Sequence, residues 1–216
     1  MSSVYAHLLL ITPCYLLLLP RNMKNPERII RLFERERRPD FIQIYPFTTF
    51  STIWENPTGR PNLLRLNQFF RHLMIGGCPD ASQKKSVSSG EPLVNVHAFK
   101  RHCDLVDFAA SADYEGHGNR QHEIVQNHLL TNDVTTMAIE IPVCNEEWHG
   151  HIDIIRYLRD SDKIEVVDFK PKADKETKAA FQVYRYMKLL SGESLIPITD
   201  MTGRYFDNKS SYTIKF

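Results

Sequence analysis

Two apolar runs, residues 151–158 and 163–169, restrict the fold of this chain more than any other feature of its sequence. Both runs are rich in Ile, Val, Tyr and Phe, and the polar sequence Arg-Asp-Ser-Asp separates them. β-Branched and aromatic residues favour strands, and a short polar cluster between two such runs is typical of a hairpin turn. The sequence therefore predicts a β-hairpin in the second half of the chain.

A turn centred between Asp160 and Ser161 brings two carboxylates together. Antiparallel pairing from that turn places Asp153 directly opposite Asp168, with Cβ atoms about 4.5–5.5 Å apart. Lys170 shares the face of Asp168 because side chains alternate between the faces of a strand. Facing carboxylates repel each other unless a positive charge lies between them, and a divalent cation with oxygen ligands is the usual one. We predict a metal site here, the alternative being exposed strand charges, although strands are depleted in aspartate.

The composition is that of an ordinary globular protein of 216 residues with a net charge of +1. This charge gives no global signal for nucleic acid, so any such contact would depend on local basic surface. The cysteines include no Cys-x-x-Cys pair, which argues against a zinc ribbon and favours reduced thiols in a cytoplasmic or other reducing compartment. They are Cys14, Cys78, Cys103 and Cys144.

Residues 1–22 are predicted to be an apolar leader. The run 8–19 is interrupted by Pro13 and is short for a membrane span. No Lys or Arg precedes it, as would be typical of a signal peptide. Three interpretations stay open: a buried strand or helix, a translated leader with little structure, which leaves organelle targeting open, and a membrane-associated segment. We expect no stable membrane insertion.

The N-terminal region, residues 23–115, is predicted to be mainly helical. Apolar spacing and Pro or Gly stop signals predict three helices, at 25–38, 63–75 and 97–110. An aromatic segment at 41–54 is expected to be extended, and a polar stretch at 78–90 to be a loop. The arginines of the first helix form either a solvated face or a set of phosphate contacts.

A helix that follows Asn119, its predicted N-cap, carries the first candidate ligand. His122 lies on the apolar side of this helix, and it is either a satisfied core residue or a metal ligand. Gln126 is predicted to point mostly away from that side. His128, further along, is more typical of a structural residue.

The strands supply two further candidates. Residues 134–143 predict a strand beside the hairpin. Glu140, near its end, is either a carboxylate that faces solvent or an acid close to the metal. His151 shares the face of Asp153 by alternation and is a second-rank candidate.

A helix at 175–190 and a hairpin at 196–216 complete the expected elements. The helix is predicted to end at Gly192. Gln182 and Tyr186 are four residues apart and therefore share one helix face. The predicted buried stripe consists of Ala179, Val183, Met187 and Leu190.

Four motifs in this order resemble those of the RecB-like exonuclease branch of the PD-(D/E)XK nuclease superfamily. They are Gly118-x-x-x-His122, Gly150-His151-Ile152-Asp153, Asp168-Phe169-Lys170 and Gln182-x-x-x-Tyr186. Their predicted elements follow the order helix, three strands, helix, strand. The resemblance covers residues 116–216 and implies that they form a restriction-endonuclease-like nuclease core, an α/β (α+β) fold with a mixed sheet.

The resemblance also implies roles for individual residues. The ligands of Mg²⁺ or Mn²⁺ would be His122, Asp153, Asp168 and the backbone carbonyl of Phe169. An imidazole ligand favours Mn²⁺ relative to an all-oxygen site. Lys170 would orient the attacking water or stabilise the transition state. Gln182 and Tyr186 would position the site or contact nucleic acid, and Glu140 matches an acid that often precedes the second motif.

The implied function is metal-dependent hydrolysis of DNA phosphodiester bonds by an exonuclease that acts on DNA ends or single strands, as in DNA repair or recombination. The chain has no helicase signature, so a helicase or recombination partner would be separate. The alternatives are a structure-specific endonuclease of the same fold and a non-catalytic nucleic-acid-binding protein on a decayed nuclease fold. Some relatives carry an iron–sulfur cluster that uses three cysteines after the core, but no cysteine follows Cys144 and no such cluster is expected.

Overall fold

The computed structural model describes residues 28–33, 45–50, 59–74, 84–90 and 95–216. These residues form a mixed α/β structure in which helices pack on both faces of an open, mixed sheet. The predicted leader at 1–22 lies outside the described residues, as do Cys14 and Cys78. None of the helices in the described part of the chain is long and apolar enough to cross a membrane.

The described residues contain nine strands and four α-helices. The strands are β1 Arg28–Phe33, β2 Tyr45–Phe50, β3 Lys85–Ser86, β4 His97–Lys100, β5 Thr136–Cys144, β6 Trp148–Leu158, β7 Lys163–Phe169, β8 Met201–Phe206 and β9 Ser211–Lys215. The helices are α1 Pro61–Met74, α2 Asp104–Ser111, α3 Gln121–Asn132 and α4 Ala179–Ser194.

The strands of the sheet follow the order β1-β2-β5-β6-β7-β8-β9-β4, and β3 pairs with the start of β6. Strands β5, β6 and β7 are antiparallel, whereas β8 runs parallel to β7 and reaches it through α4. The order around the predicted motifs is therefore α3, β5, β6, β7, α4, β8. Strand β7 has a hydrogen-bonded neighbour on both edges.

The predicted register of the hairpin is confirmed. Pairing between β6 and β7 runs from Leu158 opposite Lys163 to Ile154 opposite Val167. One more step in this register brings Asp153 and Asp168 to the same level of the sheet. The turn lies where the polar cluster predicted it, between Leu158 and Lys163.

Alternate residues of β7 enter two separate cores. Val166 packs with α1 and α4 on one face, and Val167 and Phe169 pack with α2 and α3 on the other. The predicted stripe of α4 is confirmed, since Ala179, Val183, Met187 and Leu190 are completely buried. Burial of such a stripe is the main source of stability for a helix of this length. The two layers fix β7 from both sides.

Several predicted boundaries are wrong. Residues 28–33 form β1, which pairs with β2, where a helix was predicted over 25–38; the rest of that range lies outside the described residues. Residues 97–100 form β4 at the edge of the sheet, and the predicted helix begins only at Asp104. In both cases the unpaired edge of a neighbouring strand supplies backbone partners, so tertiary context overrides local helix pattern. The helix predicted at 63–75 is confirmed by α1.

Other helix ends also differ from prediction. Asn119 is not the N-cap, because it lies in a short 3₁₀ turn and Arg120 precedes α3. Helix α4 continues through Gly192 to Ser194 and ends at Leu195, which has a left-handed backbone with φ of 59°. A single glycine costs a helix only about 1 kcal/mol, which packing of α4 offsets. The last strand pair begins at residue 201, later than the predicted 196.

Candidate active site

The two predicted aspartates meet at the open end of the hairpin. Oδ2 of Asp153 accepts a hydrogen bond of 2.9 Å from the backbone N–H of Phe169, which ties β6 to the end of β7 through a side chain. The carboxyl of Asp168, only 1% exposed, lies at the same level of the hairpin, and burial and then the nearby charge of Asp153 raise its pKa. The predicted juxtaposition of the two carboxyls is therefore confirmed.

Lys170 reaches the same place from the residue after β7. Its Nζ atom lies 2.8 Å from Oδ2 of Asp168. That oxygen is buried and accepts no hydrogen bond of normal geometry from the described residues, so the contact is an ion pair with poorly directed N–H groups. The backbone N–H of Lys170 donates to the carbonyl of Phe206 on β8, at 2.9 Å. The parallel strand thus fixes where the lysine leaves the sheet.

His122 comes from α3 and joins the aspartates across the end of the sheet. Its Nδ1 lies 3.2 Å from Oδ2 of Asp153, and its side chain is 40% exposed. The ring packs edge-to-face on Phe169, with centroids 5.2 Å apart. His122 is therefore a half-exposed residue beside an acid, and the expectation of a satisfied core histidine is not met.

Glu140 and Gln126 belong to the same cluster. Gln126 is 2% exposed, and its Nε2 donates to Oε1 of Glu140 at 2.5 Å. The prediction that Gln126 points away is wrong. Gln126 follows His122 by four residues, and this spacing places the two side chains on one helix face, so the sequence did contain the signal.

The backbone of Glu140 is unusual for a residue within a strand. Its φ of 54° lies in the left-handed region, which non-glycine residues seldom occupy. Regular pairing of β5 with β6 continues on both sides of it, at Ile139 opposite Ile154 and Ile141 opposite Ile152. Such strain persists only where the surroundings hold it, and it is concentrated at functional sites. Of the two readings of Glu140, the acid close to Asp153 is favoured.

Two carboxyls of this cluster, those of Asp168 and Glu140, have raised pKa values. Burial, and then the charge of Asp153, raise the pKa of Asp168 against the opposing effect of Lys170. Burial and the charge of Asp153 likewise raise the pKa of Glu140. Both shifts therefore arise first from burial and second from a neighbouring negative charge that Lys170 and Gln126 only partly offset.

The two basic groups respond in the opposite sense. Burial lowers the pKa of His122, but its hydrogen bond to Asp153 and the negative charges nearby outweigh burial and raise the pKa. Burial lowers the pKa of Lys170, and the charge of Asp168 more than restores it, so that its pKa is raised. Lys170 therefore remains charged at neutral pH, and it is the fixed positive group of the cluster.

The predicted pair on α4 closes the site from the opposite side. Nε2 of Gln182 donates to the hydroxyl of Tyr186 at 3.0 Å, which confirms that they share one helix face. Burial and then the charge of Asp168 raise the pKa of Tyr186, so its ring lies beside the acids. A Cβ atom at Gly150 would lie 2.6 Å from Cε1 of Tyr186. The glycine of the second motif is thus required for close packing of the tyrosine.

His151 and His128, the other two histidines assessed from the sequence, make none of the contacts described above. Burial, together with the nearby His149, lowers the pKa of His151 to about 4, so its imidazole is neutral at physiological pH. It stays a second-rank candidate. His128 lies on the exposed side of α3, where its Nε2 is 3.0 Å from the hydroxyl of Ser111, in agreement with a structural role.

The donor set suits a divalent cation, although the described residues contain no group of three or more His, Cys, Asp or Glu side chains already arranged around one. In this structure the Lys170 ammonium and the Phe169 N–H interact with the carboxylates. The buried Oδ2 of Asp168 still lacks a well-directed donor. In an extended strand the N–H and C=O of one residue point to the same neighbour, so the carbonyl of Phe169 faces the Asp153 side. A hard cation would find oxygen ligands of the preferred kind here.

Comparisons with known proteins identify no relative of this chain. The chain matches no family model, no curated protein and no solved structure.

Proposed function

We propose that this protein is a metal-dependent nuclease that hydrolyses DNA phosphodiester bonds, related to the RecB-like branch of the PD-(D/E)XK superfamily. The observation that carries the proposal is the pair of facing aspartates at the end of the hairpin, with a charged lysine on the buried one. Structural ion pairs lower carboxyl pKa values, whereas burial and then the charge of Asp153 raise the pKa values of Asp168 and Glu140. A site of this kind is suited to hold a cation and a phosphate.

The fold supports the same proposal. The order α3, β5, β6, β7, α4, β8, with three antiparallel strands and a parallel fourth, is the one that the motif resemblance implies for a restriction-endonuclease-like core. Fold alone does not define an activity, and the retained side chains are the stronger argument. Both acids, the lysine, the histidine and the Gln–Tyr pair all meet at one end of the sheet.

The expected cofactor is Mg²⁺ or Mn²⁺, held by Asp153, Asp168, His122 and the carbonyl of Phe169. When bound, the metal would lower the pKa of a water molecule and offset charge on the phosphate. Because a ligating imidazole must be neutral, the raised pKa of His122 makes metal binding weaken below neutral pH.

The side chains of this protein would then divide the work. Lys170, which is charged and 16% exposed, is placed to donate a hydrogen bond to the attacking water or to a phosphate oxygen that gains charge. Gln126 holds one oxygen of Glu140 and thereby keeps that acid on the Asp153 side of the site. Tyr186 and Gln182 form the wall opposite α3 and would position the strand that is cut.

The proposal is tested by cleavage of linear and circular single-stranded DNA in Mn²⁺, Mg²⁺ or EDTA. We expect metal-dependent loss of the linear substrate only, which defines an exonuclease on DNA ends or single strands. Asp168→Asn and Lys170→Met should each lower the rate roughly 100-fold or more, because each removes a group that acts on the transition state. Cleavage of the circle as well would instead define an endonuclease of the same fold.

The matched controls are Asp160→Asn and Lys163→Met, which make the same chemical changes at the turn end of the same hairpin. Both should retain the wild-type rate. Undiminished cleavage by Asp168→Asn and Lys170→Met would contradict the assigned site. Tight binding of DNA with no cleavage in any metal would favour the non-catalytic alternative.

A further inference from the structure

A cavity of about 440 Å³ lies next to the candidate active site, on its α3 side. Pro171 and Lys172, which line it, directly follow the catalytic lysine, and Gln121 directly precedes His122. Two residues of extended chain span at most about 7 Å, so the cavity begins within that distance of the site's own residues along two separate elements. Its position is that of an extension of the active site.

The rim of this cavity is basic. The four lysines that line it come from three parts of the fold: the end of β4, the segment between β7 and α4, and the turn between β8 and β9. All four are exposed. They are Lys100, Lys172, Lys175 and Lys209. Convergence of four ammonium groups on one cavity is unusual in a chain whose net charge is only +1. Local positive potential of this kind attracts anions.

The acids in the same wall are largely engaged. Asp207 is 3% exposed, and its two oxygens accept hydrogen bonds from the backbone N–H groups of Ala173, Lys209 and Ser210, at 2.7–2.8 Å. Glu115 accepts from the side-chain amide of Asn208 at 2.8 Å. A third acid, Asp174, is exposed on the rim. The lysines outnumber the acids of the lining by four to three, and Asp207, the buried acid, points its oxygens at backbone N–H groups.

The cavity is also pre-formed. The bond from the N–H of Ala173 to Asp207 joins the segment after Lys170 to the turn between β8 and β9. Tyr114 lies beneath, 2% exposed, with its ring edge-to-face on Phe169 at 5.0 Å. The floor of the cavity is thus continuous with the packing that supports the aspartates. Little rearrangement is needed before a ligand binds.

We propose that this cavity is a phosphate-binding subsite that holds the backbone of the DNA strand next to the bond that is cut. The inference rests on the proposed nuclease function, since that function supplies a polyanionic strand at the adjacent carboxylates. The lysines contact phosphates and not base edges, so the subsite binds without regard to sequence. It would keep the strand in place as successive nucleotides are removed.

The test is binding of a fluorescein-labelled 15-nucleotide oligothymidylate to the full chain in EDTA, measured by anisotropy over a range of salt concentrations. The double variant Lys172→Ala/Lys209→Ala is compared with Lys163→Ala/Lys188→Ala, which removes the same charge from distant surface. We expect the cavity variant to bind about tenfold more weakly. The slope of log K against log salt should fall by about 0.7 for each lysine that no longer binds a phosphate.

Equal binding by the cavity variant and wild type would overturn the subsite, and so would an equally weakened complex in the control variant. The subsite would also be overturned if both the cavity variant and Lys172→Gln/Lys209→Gln lost the circular dichroism spectrum of the folded protein, because the lysines would then be structural. Cleavage in Mn²⁺ is scored separately. A weaker, less salt-dependent complex supports the subsite even if no cleavage is found, whereas cleavage with unchanged binding removes the subsite and leaves the nuclease function in place.

Discussion

Two clusters of buried charge lie on the same hairpin, a few residues apart, and they are built in opposite ways. Near the turn, the guanidinium of Arg156, 4% exposed, bonds to Asp133 at 2.8 Å, Glu165 at 2.7 Å and Asp104 at 2.5 Å. Arg204 on β8 gives Glu165 a second partner at 2.9 Å. Each acid of this cluster has a directed, charge-assisted partner.

At the open end, charge is left uncompensated. Asp153, Asp168 and Glu140 share one lysine and one half-exposed histidine. Oδ2 of Asp168 lacks a directed donor, although it is buried. Both clusters contain buried charged groups, but only the cluster near the turn pairs each of its acids with a directed positive partner.

The direction of the pKa shifts separates the two clusters. Burial raises the pKa of Asp133, but Arg156, the hydroxyls of Thr135 and Thr136 and the N–H of Thr135 outweigh burial, and the net pKa is lowered. The pKa of Asp168 is raised. A lowered carboxyl pKa marks a group that stabilises the fold when ionised, and a raised one marks a group that the fold tolerates for another purpose.

The largest expected effect is on the balanced cluster. Arg156→Met leaves the buried Asp133 without the guanidinium and leaves Glu165 with Arg204 as its partner. It should lower the free energy of unfolding by about 3–5 kcal/mol. Urea unfolding at pH 7 measures this change. Arg159→Met in the exposed turn is the control and should change stability by no more than about 0.5 kcal/mol. A decrease below about 1 kcal/mol for Arg156→Met would mean that the network is not what holds this end together.

An intermediate effect is expected from metal at the unbalanced end. Mn²⁺ at about 100 times its dissociation constant should add roughly 2.7 kcal/mol. For a chain of this size that corresponds to a rise in Tm of about 5–10 °C. The rise should vanish in EDTA and in Asp153→Asn, and it should persist in Asp160→Asn. An equal rise in Asp153→Asn would place the cation elsewhere.

The smallest effect concerns the same end without metal. The pKa of Asp168 is raised in the folded state, so its contribution to stability is complete below the unfolded pKa of about 4 and is lost as pH rises towards the folded value. Asp168→Asn should therefore be more stable than wild type in EDTA at pH 8, by about 1 kcal/mol. Thermal unfolding from pH 5 to pH 8 should show the gap opening with pH. A stability difference between variant and wild type that shrinks as pH rises would contradict the raised pKa of Asp168.

The sequence was sufficient for the hairpin, its register and the residues that face each other on it. Period-two alternation and a polar turn fix which residues pair, so Asp153, Asp168 and Lys170 could be brought together without a structure. The Gln182–Tyr186 pair could be predicted in the same way from helical spacing. These features depend on local geometry only.

The features that were missed depend on long-range contacts. Strands β1 and β4 were predicted as helices because their apolar spacing fits both periods and only an open sheet edge decides between them. The bond from Gln126 to Glu140 needs the distance between α3 and β5, which no pattern supplies. The lysines of the cavity come from three distant stretches of the chain, and only the turn between β8 and β9 brings Lys209 to the others.

The bond from the N–H of Lys170 to Phe206 has a consequence for the order of folding. The hairpin closes over a few residues, whereas β8 can pair with β7 only after α4 has crossed the sheet, and contacts of large sequence separation close late. We expect the two aspartates to be side by side before the strand that anchors the lysine's backbone arrives. The chain thus brings its mutually repelling groups together first and fixes the backbone of the neighbouring lysine last, so the final step of folding also completes the site.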